Sequence, residues 1–432
     1  MIVLSGAELV LPDRILTPGT LVLEGGRIIE IRQGAGHAAP GFAFHGHYIV
    51  PGFIDVHVHG VDGVDAFHAG SGVAELAGRL PRYGVTAFCP TTVACTPGAL
   101  RGVLAGVRQA RAAQEPRASR VLPAHLESNF INPDYRGAQP AACVRSARTA
   151  LENWTGRAGG DRLRPDRGGA EPPSESERGW GPGSREKSQA DSRQDDFDGA
   201  DILREIERAA PDVGIVTLAP EIEGGLELIA WLTARGHRVS LGHSAAAYDE
   251  ALAAIAAGAC QATHLFNRMP PLGHRAPGLA GAVLQTDEVA AEIICDGFHV
   301  HPALVRTALA AKRASRMMAI SDGTAASGLP LGSRATLGGR TITAGESAAH
   351  LEDGTLAGSV LTMDRAFRML VERMDCSLVD AATMCSTTPA REMGLVGHGV
   401  LAVDAVADLV VLDARLAVVQ TYIGGQLAYA RG

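Results

Sequence analysis

Lysine is almost missing from this chain: of 39 basic residues only Lys187 and Lys312 are lysines, so nearly all positive charge is arginine. Long apolar runs are missing too. No stretch of about 18 apolar residues is present to form a membrane-spanning helix. The leading MIVLSGAELVLPDRIL lacks a basic start and carries an acid in its apolar stretch, the wrong pattern for a secretory signal. No clustered basic face offsets the 47 acidic residues, and a net charge of -8 argues against nucleic acid as the main partner. The seven cysteines (Cys89, Cys95, Cys143, Cys260, Cys295, Cys376, Cys385) are odd in number and form no CxxC pair. Four lie in apolar runs, which reads as reduced core thiols in the cytoplasm.

What is present is a rhythm. Residues 1–50 carry short β-like runs, IVLSGAELVL, GTLVLEGGRIIEI and HGHYIV, with EGGR as a hairpin turn. From about 51 to 398, apolar runs such as TAFCPTT, VGIVTLAPE, HRVSLGH and RMMAISDG alternate with helical segments such as GADILREIERAAP and GLELIAWLTARG. Strand–helix alternation of this kind predicts a parallel sheet with helices outside, and about eight strand candidates favour a closed (β/α)8 barrel. No GxGxxG follows the first strand, which disfavours an open dinucleotide-binding sheet. Residues 399–432 return to β character, with a further strand pair around RATLGGRTITAG. The economical reading is an α/β, TIM-like barrel with a small β-sandwich domain built from both termini. Residues 156–194, rich in Gly, Arg, Ser, Pro and acids, break the rhythm and read as a disordered insertion.

Chemistry concentrates at strand ends. In PGFIDVHVHG, His57 and His59 sit two apart on one strand and share a face. That pair alone fits two packed histidines as well as two metal ligands. However, Glu127 ends RVLPAHLE, His243 ends HRVSLGH, His264 ends CQATHLF and Asp322 ends RMMAISD. Five strand ends with residues able to bind a hard or borderline cation point to a metallohydrolase whose site lies at the C-terminal mouth of the barrel.

The motifs PGFIDVHVHG, HLE, GHS, THLFN, DGFH and GTLAGS resemble, in order and over nearly the whole chain, the amidohydrolase superfamily and within it the N-acetylglucosamine-6-phosphate deacetylases. The lysine count supports that subdivision. Hydantoinase-like and dihydroorotase-like relatives bridge two metals with a carbamylated lysine at a strand end. Lys187 lies in the insertion and Lys312 in a helix, so a carboxylate, Glu127, must take that place.

The resemblance implies a divalent metal, one or two ions per subunit, with zinc the default and iron or another divalent ion also fitting. Glu127, His243 and His264 would hold the main ion, and His57 and His59 a second. Asp322 would be general base and then general acid, and His299 would stabilise the oxyanion or orient the substrate. Substrate contacts would come from Ala138, Gln139, Asn267, Arg268, Arg275, Leu356, Ala357 and Gly358. Arg275 is the expected phosphate ligand, supplied by a neighbouring subunit of a homodimer. The implied reaction releases acetate from an N-acetylated amino-sugar phosphate, N-acetylglucosamine 6-phosphate in the simplest case. Alternatives are N-acetylgalactosamine 6-phosphate, another small N-acyl substrate, or an inactive metal-binding paralogue. Three departures from the family pattern, Ser128-Asn129, Gln139 and Arg268, flank the expected sugar site. His125 reads as a packed barrel histidine.

Overall fold

Runs such as Phe53–Val58 and Val85–Thr92 are apolar throughout and buried along their whole length, the condition for parallel strands covered on both faces. The computed structural model describes residues 1–35, 42–68, 70–157 and 197–432. In it the barrel strands follow in chain order: Phe53–Val58, Val85–Thr92, Ala124–Glu127, Val213–Leu218, Arg238–Leu241, Gln261–Ala262, Ala290–Ile294 and Met317–Ile320. All neighbouring pairs are parallel. Closure between first and eighth comes from a parallel bridge between Val58 and Gly323 and from the Asp322 amide donating to the His57 carbonyl at 2.9 Å. Asp55 braces the same seam, accepting from Ser321 Oγ at 2.5 Å and from the His57 amide at 3.2 Å.

Amphipathic helices cover the outside. The Pro97–Ala112 helix starts on Thr96, whose side chain accepts from the Ala99 amide, and has proline in its first turn. It buries Leu100, Val103, Leu104 and Val107, spaced 3, 1 and 3 apart along one face. Asp198 and Asp201 form a reciprocal cap at the start of Gly199–Arg208. Ala147–Arg157 and Gly278–Gln285 are helices that the sequence pattern does not announce. The first is polar and the second glycine-rich, so neither carries a strong periodic signal. The expected insertion lies outside the described residues from position 158 onward, and Lys187 with it.

Both termini meet in one seven-stranded sheet. Leu409–Leu412 pairs antiparallel with Tyr48–Pro51, joining three C-terminal strands to four N-terminal ones. Leu4, Leu21, Ile49, Leu409 and Tyr422 form the centre of its own core. The strand pair expected around RATLGGRTITAG lies elsewhere, in a four-stranded antiparallel sheet spanning Arg334–Leu337 to Leu356–Ser359. A bridge from Ser359 to Gly323 ties that sheet to the barrel mouth.

Candidate metal centre and active site

The five strand ends converge. His243, His264 and Asp322 each lie two residues past the last residue of their strand, and all three have left-handed backbone, with φ of +50°, +32° and +46°. Such conformations cost a non-glycine residue about 1–3 kcal/mol each and persist only where surroundings impose them. Here the turn brings each side chain into the barrel mouth, beside His59 and Glu127 at the floor of a cavity of about 540 Å³. That volume suits a small molecule.

Two ligand sets form. Glu127 Oε1 lies 2.8 Å from His243 Nε2 and 3.0 Å from His264 Nε2, and those two nitrogens are 3.1 Å apart. His59 Nε2 is 3.2 Å from Asp322 Oδ1 and 3.3 Å from His57 Nε2, with His57 Nε2 3.4 Å from the same oxygen. Imidazole nitrogens paired at contact distance around carboxylate oxygens make poor hydrogen-bond partners but good edges of a coordination polyhedron. The donor set of nitrogen and oxygen therefore fits a borderline divalent cation.

Supporting contacts aim these rings. His57 Nδ1 donates to Glu292 at 2.9 Å, His59 Nδ1 to the Thr91 carbonyl at 3.2 Å, and His243 Nδ1 to the Tyr135 carbonyl at 2.9 Å. Each bond fixes the ring so that Nε2 faces the centre. Glu292 is fully buried on the seventh strand, where Gln261 Nε2 also donates to it at 2.6 Å. Sequence reasoning missed it, although an acid inside the apolar run AAEII was a usable signal. His125 bonds the Val56 carbonyl and Thr217 Oγ1, at 3.0 and 2.7 Å, and is packed rather than presented to the cavity.

The charges are strongly coupled. Burial alone would raise the Glu127 carboxyl, but His243 and His264 hold it well below the usual carboxylate range. Asp322 shows the same balance: burial raises it, and His57 and His59 bring it below its ordinary value against the opposing charge of Glu127. Burial lowers His57, yet Asp322 and Glu292 outweigh it and lift the ring to about 10. Burial takes His125 down to about 4, so it is neutral. A pocket of acids that stabilises positive charge this strongly is suited to a cation.

The amidohydrolase family model matches residues 232–428. The N-acetylglucosamine-6-phosphate deacetylase of Bacillus subtilis is 32% identical over 388 residues, covering 88% of this chain and 84% of the relative. The N-acetylgalactosamine-6-phosphate deacetylase of Escherichia coli is 32% identical over 382 residues, with 88% and 87% covered. Among solved structures, the N-acetyl-D-glucosamine-6-phosphate deacetylase of Mycobacterium smegmatis, in complex with N-acetyl-D-glucosamine-6-phosphate, superposes with a TM-score of 0.81 at 28% identity over 99% of both chains. The chain belongs to the amidohydrolase superfamily, in its N-acetylglucosamine-6-phosphate deacetylase branch.

The remaining expected site residues of this deacetylase relative divide between cavity and surroundings. His299, Ala138, Gln139, Asn267, Arg268, Leu356 and Gly358 line the cavity. Ala357 is fully buried behind it, and Arg275 is exposed and outside it. His299 Nδ1 donates to Asp296 at 2.6 Å, leaving its buried Nε2 without a partner. Both ends of the Gln139 amide bond the protein: Nε2 donates to Glu127 Oε2, and Oε1 accepts from the Ala94 amide at 2.7 Å. Ser128 and Asn129 do not line the cavity. Ser128 Oγ donates to the Thr217 carbonyl, and Asn129 Nδ2 bonds the Cys95 and Cys143 carbonyls at 2.8 and 2.7 Å.

Proposed function

We propose that this chain is a metal-dependent deacetylase that cleaves the acetamide of N-acetylglucosamine 6-phosphate, yielding acetate and glucosamine 6-phosphate. The observation that carries this reading is the convergence of two sets of histidine and carboxylate atoms on the floor of one small-molecule cavity. The relatives, which act on N-acetylated hexosamine phosphates by their names, support the substrate class.

Glu127, His243 and His264 would hold the main ion, and His57 and His59 a second. Zinc is the default for these donors, and iron fits them too. When bound, such an ion supplies a Lewis acid for the amide carbonyl and makes a water acidic enough to attack near neutral pH. Asp322, ionised at neutral pH, takes the proton of the attacking water and returns it to the departing sugar nitrogen, so the C–N bond breaks as a neutral amine leaves. His299 Nε2, unpartnered and lining the cavity, donates to the developing oxyanion when its ring is protonated. Ala138, Asn267, Leu356 and Gly358 shape the sugar subsite. Gln139 acts there through Glu127.

The finer assignments are zinc, a homodimer and the cytoplasm. Seven free cysteines support a reducing compartment. No described helix is long and apolar enough to cross a membrane.

The Escherichia coli relative favours one second reading, the galactosamine epimer. Acetate release from N-acetylglucosamine 6-phosphate, N-acetylgalactosamine 6-phosphate and both free sugars, with metal content measured alongside, separates the two. Preference for the glucosamine phosphate is expected. No turnover of either phosphate by metal-replete protein would sink the deacetylase reading.

A further inference from the structure

Behind the second ligand set stands a carboxylate that the mechanism does not use. Glu292 is fully buried inside the barrel on the strand Ala290–Ile294, and no described lysine or arginine pairs with it. An acid so placed is costly to desolvate, and its retention calls for a use of the charge. Its two oxygens are both engaged: Oε1 accepts from Gln261 Nε2 at 2.6 Å, and Oε2 from His57 Nδ1 at 2.9 Å. His125 Nδ1 is 3.8 Å away, but that ring bonds Val56 and Thr217 and, being neutral, supplies no counter-charge.

These contacts form a string with a fixed direction. Arg238, at the start of the fifth strand, has its Nε 3.2 Å from Gln261 Oε1 and donates through Nη2 to Glu392 at 2.8 Å. A guanidinium only donates, so the Gln261 atom facing it is the oxygen, which turns the Gln261 nitrogen to Glu292. An ionised carboxylate only accepts, so His57 Nδ1 carries its hydrogen and Nε2 keeps its lone pair for the barrel mouth. No other ligand histidine is backed in this way. His59 and His243 donate from Nδ1 to the Thr91 and Tyr135 carbonyls, and His264 Nδ1 has no partner among the described residues. The His264 amide does approach Glu292 Oε2, at 3.4 Å, but through its backbone and not its ring. The negative charge therefore stands behind the set of His57, His59 and Asp322. A carboxylate behind an imidazole strengthens that ring as a metal ligand.

We propose that Glu292 is a positioning residue that sets how tightly the second ion is held, acting through His57 and leaving the main ion unaffected. This deepens the two-ion reading given above and rests on it. The test needs no substrate. Protein stripped with a chelator is titrated with zinc alone by calorimetry and with cobalt(II) alone by absorption, for wild type, Glu292→Gln and Glu292→Asp.

Wild type is expected to bind two ions per subunit in two steps. Glu292→Gln should weaken the second step about 10- to 100-fold while the first keeps its wild-type affinity. Glu292→Asp, which keeps the charge on a shorter side chain, should recover part of the loss. The first step, read in the same titration, shows that each variant is folded, and a merely structural carboxylate would weaken both steps together. Equal loss of both steps, or an unchanged second step in Glu292→Gln, would overturn the proposal while two ions in wild type kept the two-ion reading. A single step in wild type would overturn that reading and the proposal with it. Two steps that respond to Glu292 in a protein that releases no acetate would sink only the deacetylase reading.

Discussion

In the proposed mechanism, Asp322 is the residue on which the chemistry turns. Its carboxylate sits 3.2 Å from His59 and 3.4 Å from His57 and lines the cavity, so it can serve the proton and help hold a second ion. Replacing it with asparagine removes the proton carrier while keeping shape and a donor oxygen. Turnover by Asp322→Asn should fall by about 10²–10⁴-fold with the Glu127, His243 and His264 ion retained, read as acetate release together with metal per subunit. Activity near wild type would show that another group moves the proton. These candidate ligands were legible in sequence because they end apolar strands, where polar residues stand out. Glu292 was not, because a buried acid that only orients His57 leaves no motif. Gln139 shows the same limit. It lines the cavity, and its amide also braces Glu127, a contact set by packing that a linear pattern does not encode.

At the scale of elements, the barrel strands and several of the amphipathic helices could be read from periodicity. The Gly278–Gln285 helix could not, since GLAGAVLQ is apolar on all sides and holds two glycines. Its C-terminal end depends on a side chain from the next helix, Pro302–Lys312. The Lys312 ammonium donates to the Val283 carbonyl at 2.8 Å and the Thr286 carbonyl at 2.6 Å. Lys312→Met leaves both carbonyls without that donor and should cost about 1–3 kcal/mol. Burial lowers the ammonium from 10.5 to about 8. Because the folded value is the depressed one, the contribution of Lys312 is fully present above pH 10.5 and is lost as pH falls through about 8. Denaturant midpoints of wild type and variant should therefore separate as pH rises from 7 to 10. A constant gap, or one that narrows with rising pH, would contradict this account of the buried amine.

At the scale of the whole molecule, a buried carboxylate helps to join barrel and terminal sheet. Asp408, just before the Leu409–Leu412 strand, accepts from Arg120 of the barrel at 3.1 and 3.2 Å, from His398 at 3.0 Å and from the Gly424 amide at 2.6 Å. Burial would raise its carboxyl, but His398 and Arg120 bring it below its usual value. Asp408→Ala should destabilise by about 1–3 kcal/mol, since Arg120 keeps partial access to water. The folded value is depressed, so this contribution stands above the ordinary carboxylate range and disappears as pH falls below it. Thermal unfolding of wild type and variant should differ at pH 7 and converge in acid. The joining of the two termini was legible, because neither terminal set of strands could bury a face alone. Arg120 and Asp408 were not, because a pair 288 positions apart has no local signature.

The central claim is that a cation held at this barrel mouth drives amide hydrolysis. It is tested most directly by stripping the protein with a chelator and following acetate release from N-acetylglucosamine 6-phosphate as zinc is titrated back. The account predicts no turnover without metal and a rise to a plateau at one or two equivalents per subunit. Turnover that survives complete stripping, or metal-replete protein that releases no acetate, would contradict it.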